Sequence, residues 1–342
     1  MGYAKEKRKT EDKKRKIKIV LFVLLVVVIA AFSVLAGICP PREWKYRIKT
    51  PEVPKRADGE LRIHFVSVGQ GDATIVELPD GKIMLVDGGS SSDESEKSLL
   101  RYLNALKVDF IDYLVVTHAD ADHCGGLVKV LEQKEIGRAY LPLVGDKTDG
   151  DYAKFYSALV KEGCSYSTAK PPKSDEKETQ LSVTDGKYPY TLVFLYPDHA
   201  LIDGITPVPE DDNAASAVLW LDYQGVSVLF TGDAPIETET RLIMNDFGGV
   251  HALYGVDIKS TEILKVAHHG SDTSTGEEFV RYLENLQTAV VSCGENNPYN
   301  HPSIAVCERL RNAGATIYRT DEDGHIMITV DTDGDYSVDM ID

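Results

Sequence analysis

Four side chains able to bind a metal ion fall within six residues of the stretch Thr117-His118-Ala119-Asp120-Ala121-Asp122-His123-Cys124-Gly125-Gly126: His118, Asp120, Asp122 and His123. Two more groups of the same kind stand far along the chain, Thr231-Gly232-Asp233 and His268-His269-Gly270-Ser271. Imidazole and carboxylate are zinc ligands, and carboxylate-rich sets also accept manganese. One such cluster alone is modest evidence, its alternative a solvated loop with a helix-capping aspartate. Three, each at the end of an apolar run, point to one site assembled in space. Cysteine pairs at ligand spacing are absent, which argues against a structural zinc. Cys124 adjoins the first cluster, but His and Asp already complete that set. The chemistry such a set supports is hydrolysis by water activated between two divalent ions, zinc or manganese.

Elements must bring these clusters together. Tyr113-Leu114-Val115-Val116 reads as a buried strand and Leu127-Val128-Lys129-Val130-Leu131 as an amphipathic helix. The first cluster therefore sits on a strand-to-helix loop, where scaffolds present functional groups. Upstream, strands are expected at 61–68, 73–78 and 82–86, the last two joined through Pro79-Asp80-Gly81. Asp72 and Asp87 end glycine-containing loops and read either as turn-capping aspartates or as borders of the site. A polar loop over 90–94, a helix through 98–103, a strand at 138–141, a helix over 151–161, a charged loop over 171–179 and a strand at 191–196 follow. The second half opens with a hairpin, 217–223 and 226–230, that ends at Asp233. Then come a helix from 236 to about 247, a strand at 263–267 ending at the His pair, a helix over 275–286 and a strand at 289–292. Asn300-His301-Pro302-Ser303, a helix to about 313, a strand at 316–318 and a hairpin over 325–340 close the chain. Asp331-Thr332-Asp333-Gly334-Asp335 lacks the glycine and the flanking helices of a calcium loop and reads as a hairpin turn. Strands alternating with helices, with antiparallel hairpins mixed in, argue for a layered α/β arrangement.

The chain has 342 residues and a net charge of −17. Residues 1–18 hold nine Lys/Arg and three acids, so this tail is +6 and the remainder −23. An acidic body repels polyphosphates at long range, which counts against strong nucleic-acid affinity but not against phosphoester hydrolysis. Five cysteines without a CxxC pair read as free or buried thiols. Residues 19–38 carry no charge and are rich in Val, Leu and Ile, enough to span a bilayer. With the basic tail before them they are expected to form an anchor that keeps 1–18 cytoplasmic and sends the body outside. A cleaved signal peptide, with Val34-Leu35-Ala36 as its cleavage signal, is the alternative. A linker over 39–59, with Pro40, Pro41, Pro51 and Pro54, separates the anchor from a hydrolase domain over 60–342.

The run His118-x-Asp120-x-Asp122-His123-x-Gly125-Gly126 resembles the metal motif of the metallo-β-lactamase superfamily, where a histidine usually stands at the place of Asp120. The aspartate there is shared with the hydrolase domain of the ComEC-type DNA-uptake proteins. The likeness continues in Val68-Gly69-Gln70-Gly71-Asp72, Val86-Asp87-Gly88-Gly89, Thr231-Gly232-Asp233, Leu264-Lys265-Val266-Ala267-His268-His269-Gly270-Ser271, Asn300-His301-Pro302 and Arg319-Thr320-Asp321. It covers about residues 61–330 and extends to the phosphorylcholine esterase domain of cell-wall enzymes. It implies an αββα sandwich with a dinuclear site at one edge, here behind a single N-terminal transmembrane helix. Carried over, His118 and Asp120 hold one metal and Asp122 and His123 the other. Asp233 bridges both, and either His268 or His269 completes the second. Asp122 also orients the nucleophile, Lys265 or the free histidine of the pair neutralises developing charge, and His301 reaches the substrate phosphate. The superfamily's remaining histidine has no clear counterpart. Asn213 stands near its place, with His199 as a weaker candidate.

The resemblance implies a membrane-anchored, outward-facing phosphodiesterase or nuclease, its substrate DNA or a cell-wall phosphodiester. Rival readings are a lactonase or β-lactamase acting on a carbonyl, and a non-catalytic binding module. With one expected span, the chain is not expected to form a DNA channel itself.

Overall fold

The computed structural model describes residues 13–14, 16–29, 45–144, 150–172 and 181–342. It divides into two units, residues 1–49 and Thr50–Asp342. Of the anchor expected at 19–38, residues 19–29 belong to a helix over 16–29, and the remainder lies outside the described residues. Among the described residues no helix is long and apolar enough to cross a membrane.

The second unit contains fourteen strands among its described residues. In chain order they are β1 (Leu61–Phe65), β2 (Thr74–Glu77), β3 (Ile83–Val86), β4 (Phe110–Val115), β5 (Glu135–Leu141), β6 (Ser165–Thr168), β7 (Thr191–Tyr196), β8 (Val218–Tyr223), β9 (Val226–Phe230), β10 (Ile263–Lys265), β11 (Thr288–Val291), β12 (Thr316–Arg319), β13 (His325–Val330) and β14 (Tyr336–Ile341). They form an eight-stranded sheet, β14-β13-β1-β2-β3-β4-β5-β6, and a six-stranded sheet, β12-β11-β10-β9-β8-β7. Each sheet is part antiparallel and part parallel. β3 to β6 run parallel in the first, and β9 to β12 in the second.

Side-chain alternation shows how the sheets stack. Leu61, Ile63 and Phe65 of β1, Leu192 and Phe194 of β7, Leu219 and Leu221 of β8, and Val228 and Phe230 of β9 share one core between the sheets. The intervening residues Val193, Val218, Trp220, Leu229 and Leu264 point to the other face of the second sheet and form a separate core. A period of two on a buried strand produces this split. The helices α1 (Asp93–Ala105), α2 (Ala121–Cys124), α3 (Leu127–Leu131), α4 (Gly150–Glu162), α5 (His199–Ile202), α6 (Ile236–Phe247), α7 (Glu277–Tyr282), α8 (Ile304–Asn312) and α9 (Thr320–Asp323) complete the fold. Leu242 of α6, Phe279 and Val280 of α7, and Val306 and Leu310 of α8 cover the outer face of the six-stranded sheet. On the other side α1 buries Leu99, Leu100, Tyr102 and Leu103, and Tyr102 reaches His64 of β1. The layers are α, β, β, α, as the motif resemblance implies.

Several element ends differ from the sequence expectation. α1 begins at Asp93, inside the expected polar loop. Ser92 caps it by accepting from Ser95 N–H, and Asp93, Glu94 and Glu96 in the first turn favour the positive end of the helix dipole. β6 is a strand the sequence does not announce. It is an exposed or half-buried edge strand without apolar alternation. The expected helix over 275–286 contracts to Glu277–Tyr282.

Candidate metal centre

The parallel strands β3, β4, β9, β10 and β11 deliver their following residues to one edge of the sandwich. Asp87 follows β3, His118 comes three residues beyond β4, and Asp233, His268–His269 and Ser292 follow β9, β10 and β11. Open α/β sheets present ligand-binding groups at the carboxyl ends of such strands. The loops are woven together through backbone bonds. Gly88 N–H donates to His123 O at 2.8 Å, Gly89 N–H to Asp72 O at 2.7 Å, Asp72 N–H to Asp122 O at 3.2 Å and Gly126 N–H to Gly89 O at 2.9 Å. The second glycine of Gly125-Gly126 is required by this closeness, since a Cβ on Gly126 would lie 2.1 Å from Gly88 O.

Each imidazole is tethered by its Nδ1. His123 Nδ1–H donates to Asp87 Oδ2 at 2.8 Å, and His269 Nδ1–H to Ser292 O at 2.9 Å. Thr117 gives its hydroxyl proton to Asp87 Oδ2 at 2.7 Å and so accepts from His118 Nδ1–H at 3.0 Å. His268 Nδ1 contacts Thr273 Oγ1 at 3.1 Å. For His118, His123 and His269 the Nδ1–H bond fixes the tautomer and leaves Nε2 as a lone-pair donor.

All four Nε2 atoms face Asp233. His123 Nε2 lies 3.3 Å from Oδ1, His269 Nε2 3.5 Å from Oδ2, and His118 and His268 Nε2 each 3.9 Å from Oδ2. Asp122 Oδ2 is 3.2 Å from His269 Nε2, and Asp120 Oδ2 is 3.7 Å from His118 Nε2. These two carboxylates form the open side, with Asp120 47% and Asp122 34% exposed against 3% for Asp233.

The site's electrostatics follow. Burial opposes charge on His123, but the carboxylates of Asp233 and Asp87 outweigh it and raise its pKa well above the ordinary histidine value. Asp233 is likewise buried, yet His123 and His269 hold it well below the usual carboxylate range. Burial favours the acid form of Asp122, and its bond to His269 with the nearby His123 overrides that, leaving it at about 2. His268 differs from its neighbour, since burial pushes its pKa down.

A divalent cation fits this donor set. His118 Nε2 and Asp233 Oδ1 are buried without a hydrogen-bond partner among the described residues. Leaving such atoms unmet costs about 1–3 kcal/mol each, a cost that a coordinated ion removes. Donor atoms of Asp72, His123, Asp233 and His269 all lie within 4.8 Å of one another. Asp72, however, approaches His123 and His269 at their Nδ1 atoms, 3.9 and 3.8 Å away. It therefore stands behind the two rings, where it pairs with Lys265.

The expected site residues thus separate. His118, Asp120, Asp122, His123, Asp233, His268 and His269 are brought together. The backbone of the His pair is left-handed at both residues, with φ 50° at His268 and 54° at His269. Non-glycine residues in that region cost about 1–3 kcal/mol each. The turn sets the two rings 66° apart. His269 enters the centre while His268 stays 26% exposed beside it. His301 packs 5.6 Å from the His268 ring and 6.3 Å from the His269 ring, centroid to centroid. Lys265 does not face arriving substrate. It is buried, and its ammonium serves Asp72 and Val266 O. Asn213 has no described contact with the cluster, and its Oδ1 is buried without a hydrogen-bond partner among the described residues. His199 lies elsewhere, bonded to Tyr254 at 3.0 Å. Cys124 gives its thiol to Ala119 O at 3.4 Å, and burial lifts its pKa to about 12. Sequence reasoning left Asp72 and Asp87 undecided. Their signal was an aspartate in a glycine loop directly after a buried strand.

A chain with this sandwich and this edge belongs to the metallo-beta-lactamase superfamily, whose profile matches residues 66–295. Within it the chain has relatives among proteins of the ComE and ComA type. The chain is 31% identical over 282 residues to ComE operon protein 3 of Bacillus subtilis (strain 168), covering 78% of this chain and 33% of that protein. It is 28% identical over 270 residues to competence protein ComA of Neisseria gonorrhoeae, covering 78% and 32%. It matches the hydrolase domain of this ComEC type and spans about a third of the length of these relatives. Among solved structures, the metallo-beta-lactamase fold protein YhfI of Bacillus subtilis aligns with a TM-score of 0.43 and 12% identity, over 82% of this chain and all of that one.

Proposed function

We infer that the chain is a membrane-anchored, extracytoplasmic, metal-dependent phosphodiesterase or nuclease. The observation that carries the reading is the convergence of four imidazole Nε2 atoms on Asp233, with the carboxylates of Asp120 and Asp122 on the open side. His118, Asp120 and Asp233 would hold one divalent ion, and Asp122, His123, His269 and Asp233 the other. Bound zinc or manganese supplies Lewis acidity that lowers the pKa of water and neutralises charge on phosphate oxygens.

The chain's own groups do the remainder. Asp122, ionised and partly exposed, accepts a hydrogen bond from the attacking water and sets its direction. His268 stands at the edge of the centre; with its Nδ1 accepting from the Thr273 hydroxyl it keeps its proton on Nε2 and donates to a phosphate oxygen. His301, packed against both histidines, lies where a second oxygen would arrive. Lys265 acts one step back by holding Asp72 behind the rings. The uncharged run over 19–38, preceded by the basic tail, supports the anchor and the outward orientation.

The test is the full chain, loaded with manganese or zinc, on bis-p-nitrophenyl phosphate, single-stranded DNA and a phosphorylcholine ester. Asp122→Ala is expected to lower kcat by about 10²–10⁴-fold, the usual contribution of a positioned acid–base group. Equal rates for wild type and variant on every phosphodiester would overturn the reading. Turnover of nitrocefin or a lactone alone would transfer it to carbonyl hydrolysis. Protease accessibility of the body on intact cells tests the orientation, and a mature N-terminus near Gly37 would replace the anchor by a cleaved signal.

A further inference from the structure

Outside the metal ligands, one group at the mouth of the site has no use in the hydrolysis itself. Tyr299 is 64% exposed. Its ring lies against His301 with centroids 5.6 Å apart and planes 25° from parallel. His301 in turn lies nearly parallel to His269, at 6.3 Å and 28°. The three rings make a column that runs from solvent to the metal centre, its inner member a proposed ligand. The outer face of Tyr299 meets no other ring among the described residues.

The rim carrying Tyr299 is fixed. Asn297 clamps the turn, its Nδ2 donating to Gly294 O at 2.9 Å and to His301 O at 2.6 Å, and its Oδ1 accepting from His301 N–H at 2.9 Å. Ser303 N–H donates to Gly270 O at 2.8 Å, fastening the rim to the loop of His268 and His269. A Cβ on Gly270 would lie 2.5 Å from that of Pro302, so the two loops are in backbone contact. An aromatic ring held this way loses little freedom when a planar group stacks on it.

We propose that Tyr299, backed by His301, is a stacking platform for a nucleobase of a single-stranded substrate whose phosphodiester lies at the metal centre. This rests on the phosphodiesterase reading and names its substrate class. Two observations and a general property of stacking favour a base. The free surface is one flat face, matching a π-face rather than the several walls that enclose a quaternary ammonium. Base stacking is tolerant of sequence and independent of charge. A chain of net charge −17 cannot gather a strand by long-range attraction, so affinity must come from short-range contacts at the site.

The experiment uses the metal-loaded full chain and two thymidine oligonucleotides, one intact and one carrying abasic residues. Tyr299→Ala should raise KM for the intact strand about tenfold, leave kcat nearly unchanged, and have no effect on KM for the abasic strand. Tyr299→Trp should restore KM, and its indole fluorescence should be quenched by the intact strand only. Equal effects of Tyr299→Ala on both strands, or none on either, would overturn the proposal. A KM effect confined to a phosphorylcholine ester or a sugar phosphodiester would also overturn it. The quenching separates the two readings. Base-dependent quenching without turnover of any phosphodiester keeps the platform and sinks the hydrolase. Turnover without base dependence does the reverse.

Discussion

Asp87 shows how much of this site is decided one residue behind the metal ligands. Its two oxygens take Thr117 N–H at 2.8 Å, the Thr117 hydroxyl and His123 Nδ1–H. Through them it sets the tautomers of both His118 and His123. Asp87→Asn keeps the shape but presents an amide N–H to the His123 ring, which must then carry its proton on Nε2. We expect zinc or manganese affinity to fall about 10–100-fold, measured by titration calorimetry, as for other outer-shell partners of metal histidines. An unchanged affinity would show that His123 does not ligate through Nε2. That these His and Asp side chains gather at one edge was legible in the sequence, because such groups at strand ends have few other reasons to cluster. The tautomer network was not, because Asp87 and His123 are joined only by folding. Which ring of the His pair turns inward was also invisible, since it depends on two successive left-handed residues.

Elements hold the site by means other than the clusters themselves. α6 contributes Glu239, which is buried and accepts N–H groups of Thr275 and Gly276. It thereby fastens the far end of the loop that begins at His268. Burial is the largest influence on its carboxyl and raises the pKa to about 7, against an ordinary value of 4.5. The folded state therefore binds this proton more tightly than the unfolded chain. The associated stability is fully present below about pH 4.5, is lost as pH rises to about 7, and changes no further above that. Comparing wild type with Glu239→Gln by denaturant unfolding from pH 4.5 to 8 should show the stability difference shifting by about 3 kcal/mol in favour of the variant. A flat difference would mean that the carboxyl titrates normally. Most apolar strands and amphipathic helices were readable in the sequence, their ends less so. β7 and α6 match their expected spans, whereas β6 was missed because an exposed edge carries no hydrophobic period.

At the scale of the whole molecule, the centre joins the two sheets. His118 and His123 come from the eight-stranded side, and Asp233, His268 and His269 from the six-stranded side. A bound ion should therefore stabilise the native state. Metal at a hundred times its Kd contributes about 2.7 kcal/mol. Thermal unfolding with manganese or zinc should occur several degrees higher than in EDTA, and Asp233→Ala should abolish the difference. Identical curves would argue against an ion shared between the sheets. The layered class was legible from the alternation of strands and helices, but the division of the chain was not. The sequence reads as two successive β-rich halves. In the structure the last hairpin returns to the first sheet, where Leu61 pairs with Val330 and Phe65 with Ile326.

That return has a consequence for how the protein is made. β2 emerges from the ribosome directly after β1, but the other neighbour of β1 is translated only after residue 324. At about 5–20 residues per second, the open edge of β1 waits for tens of seconds. Until then an apolar strand offers unpaired N–H and C=O groups to any other nascent chain. Chains released at Gly324 should therefore aggregate or stay bound to a holdase chaperone, while chains released after Asp342 should not. Solubility of the two products in a cell-free translation system would decide it. Nascent-chain quality control, rather than turnover at the metal centre, is then where substitutions in β13 would be felt first.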